Sequence, residues 1–322
     1  MKHCFILNPF AGKGQTIPEI KSQIEQICQE RGVDFEIYMT EGVGAATEYV
    51  KRMIATVETE LRFYACGGDG TLSEVVTGVM SSEQKDRAAV GLIPSGTGND
   101  FARNFTETNL FFDIGAQLDA SELVIDVIQC NDRFAINMVN TGFDCEVVVK
   151  TAEMKKKKWI PLKMAYIAGL IATLIKKPGV AIKHLVRGDE QADDLKLLLV
   201  TCGKGCFYGG GFHSNPRANL TDCRLDSLVV NDISRRKFVA LVGSYKKGTH
   251  LDNPEFGTVL THKKVDGIDI VFDHGANVSV DGEVIRYDEL HVSLIPAGLR
   301  FLIPKGSVYR KEDMRAREAA TV

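Results

Sequence analysis

Three apolar runs in the first hundred residues end in glycine-rich loops, NPFAGKG (8–14), GGDGT (67–71) and PSGTGND (94–100). Each loop interrupts a regular alternation of strand and helix patterns. HCFIL (3–7) reads as a strand, and Ile17, Ile20, Ile24 and Ile27 recur at helical spacing as far as about Arg31. Val33–Met39 reads as a second strand, and Tyr49, Val50, Met53 and Ile54 mark a second helix. The strand Leu61–Cys66, a helix carrying Leu72, Val75, Val76 and Val79, and the strand Val90–Ile93 follow. Such a βαβαβαβ order predicts a parallel sheet covered by helices on both faces. Ligands of these sheets bind at the carboxyl ends of the strands, where all three loops fall.

The middle loop is the most informative. Thr71 and Glu74 match the S/T-x-x-E capping box, so the helix is expected to start at Thr71. Gly67, Gly68 and Gly70 then form the turn before it. Glycine permits positive φ and close approach to the backbone, and a helix N-terminus attracts an anion. A tight turn alone needs about one glycine; three around an aspartate point to a phosphate group.

From about Leu123 the pattern changes to strands separated by turn residues, among them LVIDVIQC, RFAINMVN, LKLLLVTC, LDSLVV, NVSVD and LRFLI. Their spacing predicts a β-sandwich or barrel, interrupted by helical stretches around 147–177 and 235–245. The expected division is an α/β domain over 1–125 and an all-β sandwich over 126–299, with 300–322 a candidate to rejoin the first domain. At 322 residues there is enough chain for two cores. A net charge of −3 gives no basic face for nucleic acid. The apolar run in MKHCFILNPF is too short for a signal peptide. Eight cysteines without a CxxC, mostly among apolar residues, suit a reducing cytoplasm.

Taken together, Asn8-Pro9 with Gly12 and Gly14, GGDGTLSEVV, IPSGTGNDFAR (93–103), GFD (142–144), FYGGGFHSNPRANLTD (207–222) and VDGE (280–283) resemble the diacylglycerol kinase catalytic family. That family includes bacterial lipid kinases and sphingosine and ceramide kinases. The resemblance spans nearly the whole chain. It implies an N-terminal domain like that of NAD kinases and phosphofructokinases, a β-sandwich second domain, and transfer of the ATP γ-phosphate to a lipid hydroxyl with Mg2+. Diacylglycerol, giving phosphatidic acid, is the expected acceptor.

Carried over by position, Asn8, Pro9, Gly12, Thr40, Gly67, Gly68, Asp69, Gly70, Thr71, Thr97, Asn99 and Asp100 would form the nucleotide site. Asp69, Asp100 and Asp126 match acids that link water and Mg2+ near the reacting phosphate. Asp281 would be the base that accepts the lipid hydroxyl proton, with Glu283 organising the site. Asp281-Gly282 is also a strong hairpin signal, and both roles stay open. Asp222, with the backbone at Asn219 and Arg224, resembles a structural Mg2+ site. The family usually has glycine after that aspartate, whereas this chain has Cys223. An ordinary turn role for Asp222 stays open too.

The stretch 155–179, KKKKWIPLKMAYIAGLIATLIKKPG, is too short in its apolar part to span a bilayer and contains Lys163. Its basic ends and apolar stripe suit a helix lying on an anionic lipid surface, and a core helix is the alternative. The expectation is a cytoplasmic protein in peripheral contact with the inner face of the membrane. A homodimer stays open. The rival readings are another acceptor lipid, an NAD kinase, and a non-catalytic nucleotide- or lipid-binding protein.

Overall fold

The computed structural model describes residues 1–14, 16–96, 98–155, 168–169, 172–173 and 179–311. The chain forms two compact units. Unit 1 comprises residues 1–127 and returns at 296, and unit 2 comprises 128–295. The sequence placed these changes at 125/126 and at 300.

Unit 1 contains β1 (Lys2–Leu7), α1 (Ile17–Arg31), β2 (Phe35–Met39), α2 (Ala45–Thr56), β3 (Leu61–Gly67), α3 (Asp69–Met80) and β4 (Ala88–Pro94). The four strands pair in parallel in the order β2-β1-β3-β4. The last part of β13 (Glu283–Ile303) joins β4, also in parallel, through Arg300 and Phe301. The isoleucines counted at helical spacing do the packing: Ile17, Ile20 and Ile24 of α1 are buried against Phe5, Leu7, Tyr64 and Ile93 of the sheet. Gly32 ends α1 in the left-handed conformation, as a helix C-terminal glycine commonly does. On α3, a Cβ at Gly78 would lie 2.7 Å from the Val50 side chain, so this glycine lets α2 and α3 pack backbone to side chain.

After β5 (Ser121–Cys130), unit 2 contains β6 (Arg133–Ala135), β7 (Met138–Gly142), α5 (Phe143–Lys155), β8 (Val180–Arg187), β9 (Glu190–Gly203), β10 (Leu225–Asn231), α6 (Arg235–Lys247), β11 (Leu260–Val265) and β12 (Gly267–Val280); the short helix α4 (Ile114–Leu118) belongs to unit 1. The strands are antiparallel in the order β11-β10-β9-β7-β12-β13, with β8 pairing both β9 and β12. Several are long rather than short. β9 and β12 each run 14 residues, and β12 keeps its length by absorbing a register shift between Val271 and Ala276.

The continuous apolar runs have a physical reason. Leu197, Val200, Cys202, Leu225 and Val229 enter the core between the strands. Leu198, Leu199, Leu228 and Val230 enter a second cluster, with Phe143 and Val147 of α5 and Tyr245 of α6. Strands covered on both faces lose the polar alternation of a half-exposed strand.

Candidate active site

In unit 1 the strand register places the three glycine loops side by side, because Leu7 pairs with Cys66 and Gly67 with Pro94. Hydrogen bonds then tie them together. The Asn8 amide N–H donates to the Cys66 carbonyl (3.0 Å), and the Ser95 N–H donates to the Gly67 carbonyl (2.8 Å). Asn8 Nδ2 donates to Thr71 Oγ1 (2.9 Å), and Asn8 Oδ1 accepts from the Phe10 N–H (2.9 Å) across Pro9.

The glycines themselves are required mainly by this packing. A Cβ on Gly12 would lie 2.3 Å from the Ser95 carbonyl oxygen, one on Gly67 2.2 Å from Thr71 Oγ1, and one on Gly96 2.5 Å from the Gly68 Cα. Gly70 differs: a Cβ there meets nothing within 4 Å.

The expected capping box does not form. α3 starts at Asp69 after an extended Gly68, and no side chain caps it. Thr71 Oγ1 is taken by Asn8, and Glu74 Oε2 accepts from the Ala46 N–H (3.1 Å). Both side chains are drawn away by distant partners, which leaves the first turn of this 12-residue helix without a side-chain cap.

Asp69 stands at that first turn. Its carboxyl is pushed up to about 6, first by burial and next by the neighbouring Asp100 charge; the N–H groups of Phe101, Asp100 and Asn99 act in the opposite sense. The Asp100 N–H donates to Asp69 Oδ1 (3.1 Å), and the Asp100 carboxylate lies 3.3 Å from Arg103 Nε. Asn99 takes a left-handed conformation and its Nδ2 donates to the Gly96 carbonyl (3.0 Å). Ser95 Oγ and Asn99 Oδ1 are buried with no hydrogen-bond partner among the described residues.

Two carboxylates whose proximity raises the pKa of one suit a hard cation. Among the described residues no three Asp, Glu, His or Cys side chains gather closely enough to hold one alone. That fits Mg2+, which usually takes one or two carboxylates and completes its shell with water and phosphate oxygens. Thr40 is buried beside these loops, with its N–H on the Leu7 carbonyl. Asp126 is buried on β5, where Oδ1 accepts from the Ala297 N–H (2.9 Å). Thr97 lies outside the described residues.

In unit 2, Asp281 is at the β12–β13 hairpin tip with φ +47, the left-handed conformation of such turns. Its carboxylate accepts from the N–H groups of Ile136 (2.8 Å), Asn137 (3.1 Å) and Met138 (2.7 Å). Asp281 therefore holds the chain before β7 as well as turning the hairpin. Glu283 lies 3.5 Å from Arg133.

Asp144, part of the GFD motif but given no role by sequence reasoning, is the more unusual acid of this unit. It lies in the first turn of α5 and lines an apolar pocket with Phe143, Leu198, Val230, Phe238 and Phe256. Burial raises its carboxyl to about 6 against the opposing hydrogen bonds of Tyr208 and Tyr245. The Tyr245 hydroxyl is 2.9 Å away. Its sequence signal was the GFD motif, which puts an acid two residues after the strand MVNTG.

Around Asp222, oxygens that the resemblance would give to a structural Mg2+ are engaged by the chain's own side chains. Asp222 Oδ1 accepts from Lys204 Nζ (2.7 Å), and its other oxygen accepts from Lys264. Asn219 Oδ1 is turned back onto the Thr221 N–H (3.0 Å). The Arg224 carbonyl, a candidate ligand, accepts from Lys204 Nζ (2.8 Å), and the Arg224 guanidinium reaches the Lys264 carbonyl and Asp266.

The lysine run 155–158 and the helix proposed over 155–179 fall almost wholly outside the described residues. No helix among the described residues is long and apolar enough to cross a membrane.

Comparison with known proteins accounts for both units. The family described as "Diacylglycerol kinase catalytic domain" matches residues 2–130, and "YegS C-terminal NAD kinase beta sandwich-like domain" matches residues 137–303. A "Probable lipid kinase YegS-like" of Chromohalobacter salexigens is 27% identical over 308 residues, covering 92% of both chains. A protein of the same name from Klebsiella pneumoniae is 27% identical over 299 residues, covering 91% of this chain and 94% of that one. The fold matches a Bacillus anthracis structure described as a diacylglycerol kinase, with TM-score 0.68 at 19% identity, over 95% of this chain and 98% of that one. The α/β unit and the β-sandwich-like unit read from the sequence are thus both borne out, and the chain belongs to the lipid kinase family that joins a diacylglycerol kinase catalytic domain to a YegS-type C-terminal domain.

Proposed function

We propose that the protein transfers the γ-phosphate of ATP to a lipid hydroxyl, with diacylglycerol as acceptor and phosphatidic acid as product. The observation that carries this reading is the uncapped first turn of α3, set among three interlocked loops with the Ser95 hydroxyl buried and unpartnered among the described residues. Phosphate oxygens satisfy such N–H and hydroxyl groups, and phosphoryl transfer depends chiefly on positioning and charge neutralisation. Asp69 and Asp100 would hold Mg2+, whose chemistry is to neutralise the transferred phosphate. Gly70, the glycine with open space beside it, is where a nucleotide would pass closest to the backbone.

The apolar cavity under α5 and α6 supports a lipid acceptor, since acyl chains need a wall with few polar groups. Asp281 is the proton acceptor suggested by the VDGE motif, oriented by its three backbone N–H donors. A second assignment gives the proton to Asp144. It rests on one observation, a carboxyl raised to about 6 in an apolar cavity, because a general base works best near the working pH.

The deciding experiment offers labelled ATP and Mg2+ with diacylglycerol, monoacylglycerol, phosphatidylglycerol, sphingosine, ceramide, undecaprenol and NAD. Label in diacylglycerol is the expected result. Label in NAD alone refutes the lipid reading, and label in another lipid corrects the acceptor. Folded protein that labels none of them is a binding protein.

A further inference from the structure

The loop 219–224 of unit 2 contains a buried cation of the chain's own. We infer that the Lys204 ammonium serves there as the resident counter-ion in place of a divalent metal, so that unit 2 needs no metal to hold this loop. Lys204 follows β9 directly, and the N–H groups of Lys204 and Gly205 both donate to the Asn137 carbonyl (3.0 Å each), which fixes the start of its side chain. The side chain is fully buried. Its ammonium lies 2.7 Å from Asp222 Oδ1 and 2.8 Å from the Arg224 carbonyl oxygen. Those are the distances of charge-assisted hydrogen bonds, whereas Mg2+ draws oxygens to about 2.0–2.1 Å in an octahedron.

The surrounding charge is already balanced. Asp226, fully buried on β10, lies 2.8 Å from His262 Nε2 and 3.6 Å from Lys264 Nζ. Lys264 also engages the second oxygen of Asp222. Two carboxylates therefore face two ammonium groups, before His262 is counted. Asp222 is held below the usual carboxylate range: its partial burial acts upward, but Lys204 and Lys264 outweigh it. A divalent ion bound to Asp222 would have to compete with the Lys204 ammonium for Asp222 Oδ1 and the Arg224 carbonyl, and separating a buried ammonium from its carboxylate is strongly unfavourable. The backbone follows the same logic. Cys223 has φ +56, so the left-handed turn persists without glycine, and the loop is held by its side-chain contacts.

The test uses the full chain without nucleotide and reads melting temperature and bound Mn2+, which are independent of kinase activity. Wild-type protein is expected to melt at the same temperature in excess EDTA and in millimolar MgCl2. Any change seen should be equal in Asp222→Asn, which assigns it to an ion elsewhere. Mn2+ titration followed by electron paramagnetic resonance should give the same number of bound ions in both proteins. Lys204→Met should melt lower by about 6 °C or more, as loss of one partner of a buried pair implies. Adding Asp222→Asn to Lys204→Met should recover part of that loss, because the carboxylate that lost one of its two ammonium partners is no longer charged. If Lys204→Met fails to fold, the wild-type EDTA comparison still decides. Two results overturn the inference: an EDTA-induced destabilisation or a bound Mn2+ present in wild type and absent in Asp222→Asn, and an unchanged melting temperature for Lys204→Met.

Discussion

Asp69→Asn should make the enzyme fail while making the fold stronger, and only above a certain pH. The Asp69 carboxyl titrates at about 6 in the folded chain against an ordinary 3.8, principally because it is buried. Below the lower value both folded and unfolded chains carry the proton, and the carboxyl neither helps nor harms. Between the two values the folded chain retains a proton that the unfolded chain releases, so stability falls as pH rises. Above 6 the full penalty applies. A displacement of roughly two pH units corresponds to about 3 kcal/mol. Asparagine is neutral throughout but keeps only one acceptor for the N–H groups around it, which costs about 1 kcal/mol.

At pH 7.5 the variant should therefore gain about 1–2 kcal/mol, a rise of about 3–6 °C for a domain of this size. At pH 4 the gain disappears and the lost acceptor leaves it slightly less stable. Scanning calorimetry from pH 4 to 7.5, without nucleotide or Mg2+, should show the difference changing sign. Asp144 adds a pH dependence of the same direction to both proteins and cancels. Kinase turnover should drop by about 10²-fold or more over the same range, since the variant loses a charge at the phosphate site. A melting difference that stays flat with pH, or that favours wild type at pH 7.5, would falsify the claim that Asp69 is a desolvated acid awaiting a cation.

Gly70→Val should lower ATP affinity by more than tenfold, about 1.4 kcal/mol, with little change in melting temperature, because its Cβ projects into open space; equal affinity by calorimetry places the phosphates elsewhere. Gly68→Val is the poorer test, since its Cβ already lies 3.3 Å from the Gly96 Cα and the variant would disturb the loops themselves. Asp144→Asn retains hydrogen bonds to both tyrosines and removes a buried charge, so at pH 7.5 it should melt higher by several degrees; a large fall in kcat at unchanged ATP affinity would give it the proton-accepting role. Asp281→Asn should lower the melting temperature whichever acid accepts the proton, because an amide turns one N–H toward the backbone donors of residues 136–138. Its rate must be measured on fully folded protein, and a loss of about 10²-fold or more would assign the base to Asp281.

Period and composition made unit 1 readable. The 3.6-residue recurrence of Ile17, Ile20 and Ile24 survives because those side chains meet one sheet face, and the strand ends identify which loops sit together. The capping box at Thr71 and Glu74 misled because a local rule competes with partners the sequence does not display, Asn8 in one case and the Ala46 N–H in the other. In unit 2 the strands were legible but their length was not, since β12 begins well before NVSVD and runs on through a register shift between Val271 and Ala276.

What the chain's own order of residues determined was the class of each unit, the carboxyl edge of the parallel sheet and the glycine loops placed on it. Those depend on contacts between near neighbours and on side-chain periodicity, which a linear string preserves. The charge state of Asp69, the cavity around Asp144, the anchoring of Asp281 and the pairing of Lys204 with Asp222 were decided only by the tertiary structure. Each depends on burial and on a partner brought in from another strand or loop, and neither desolvation nor through-space charge has a signature in sequence spacing.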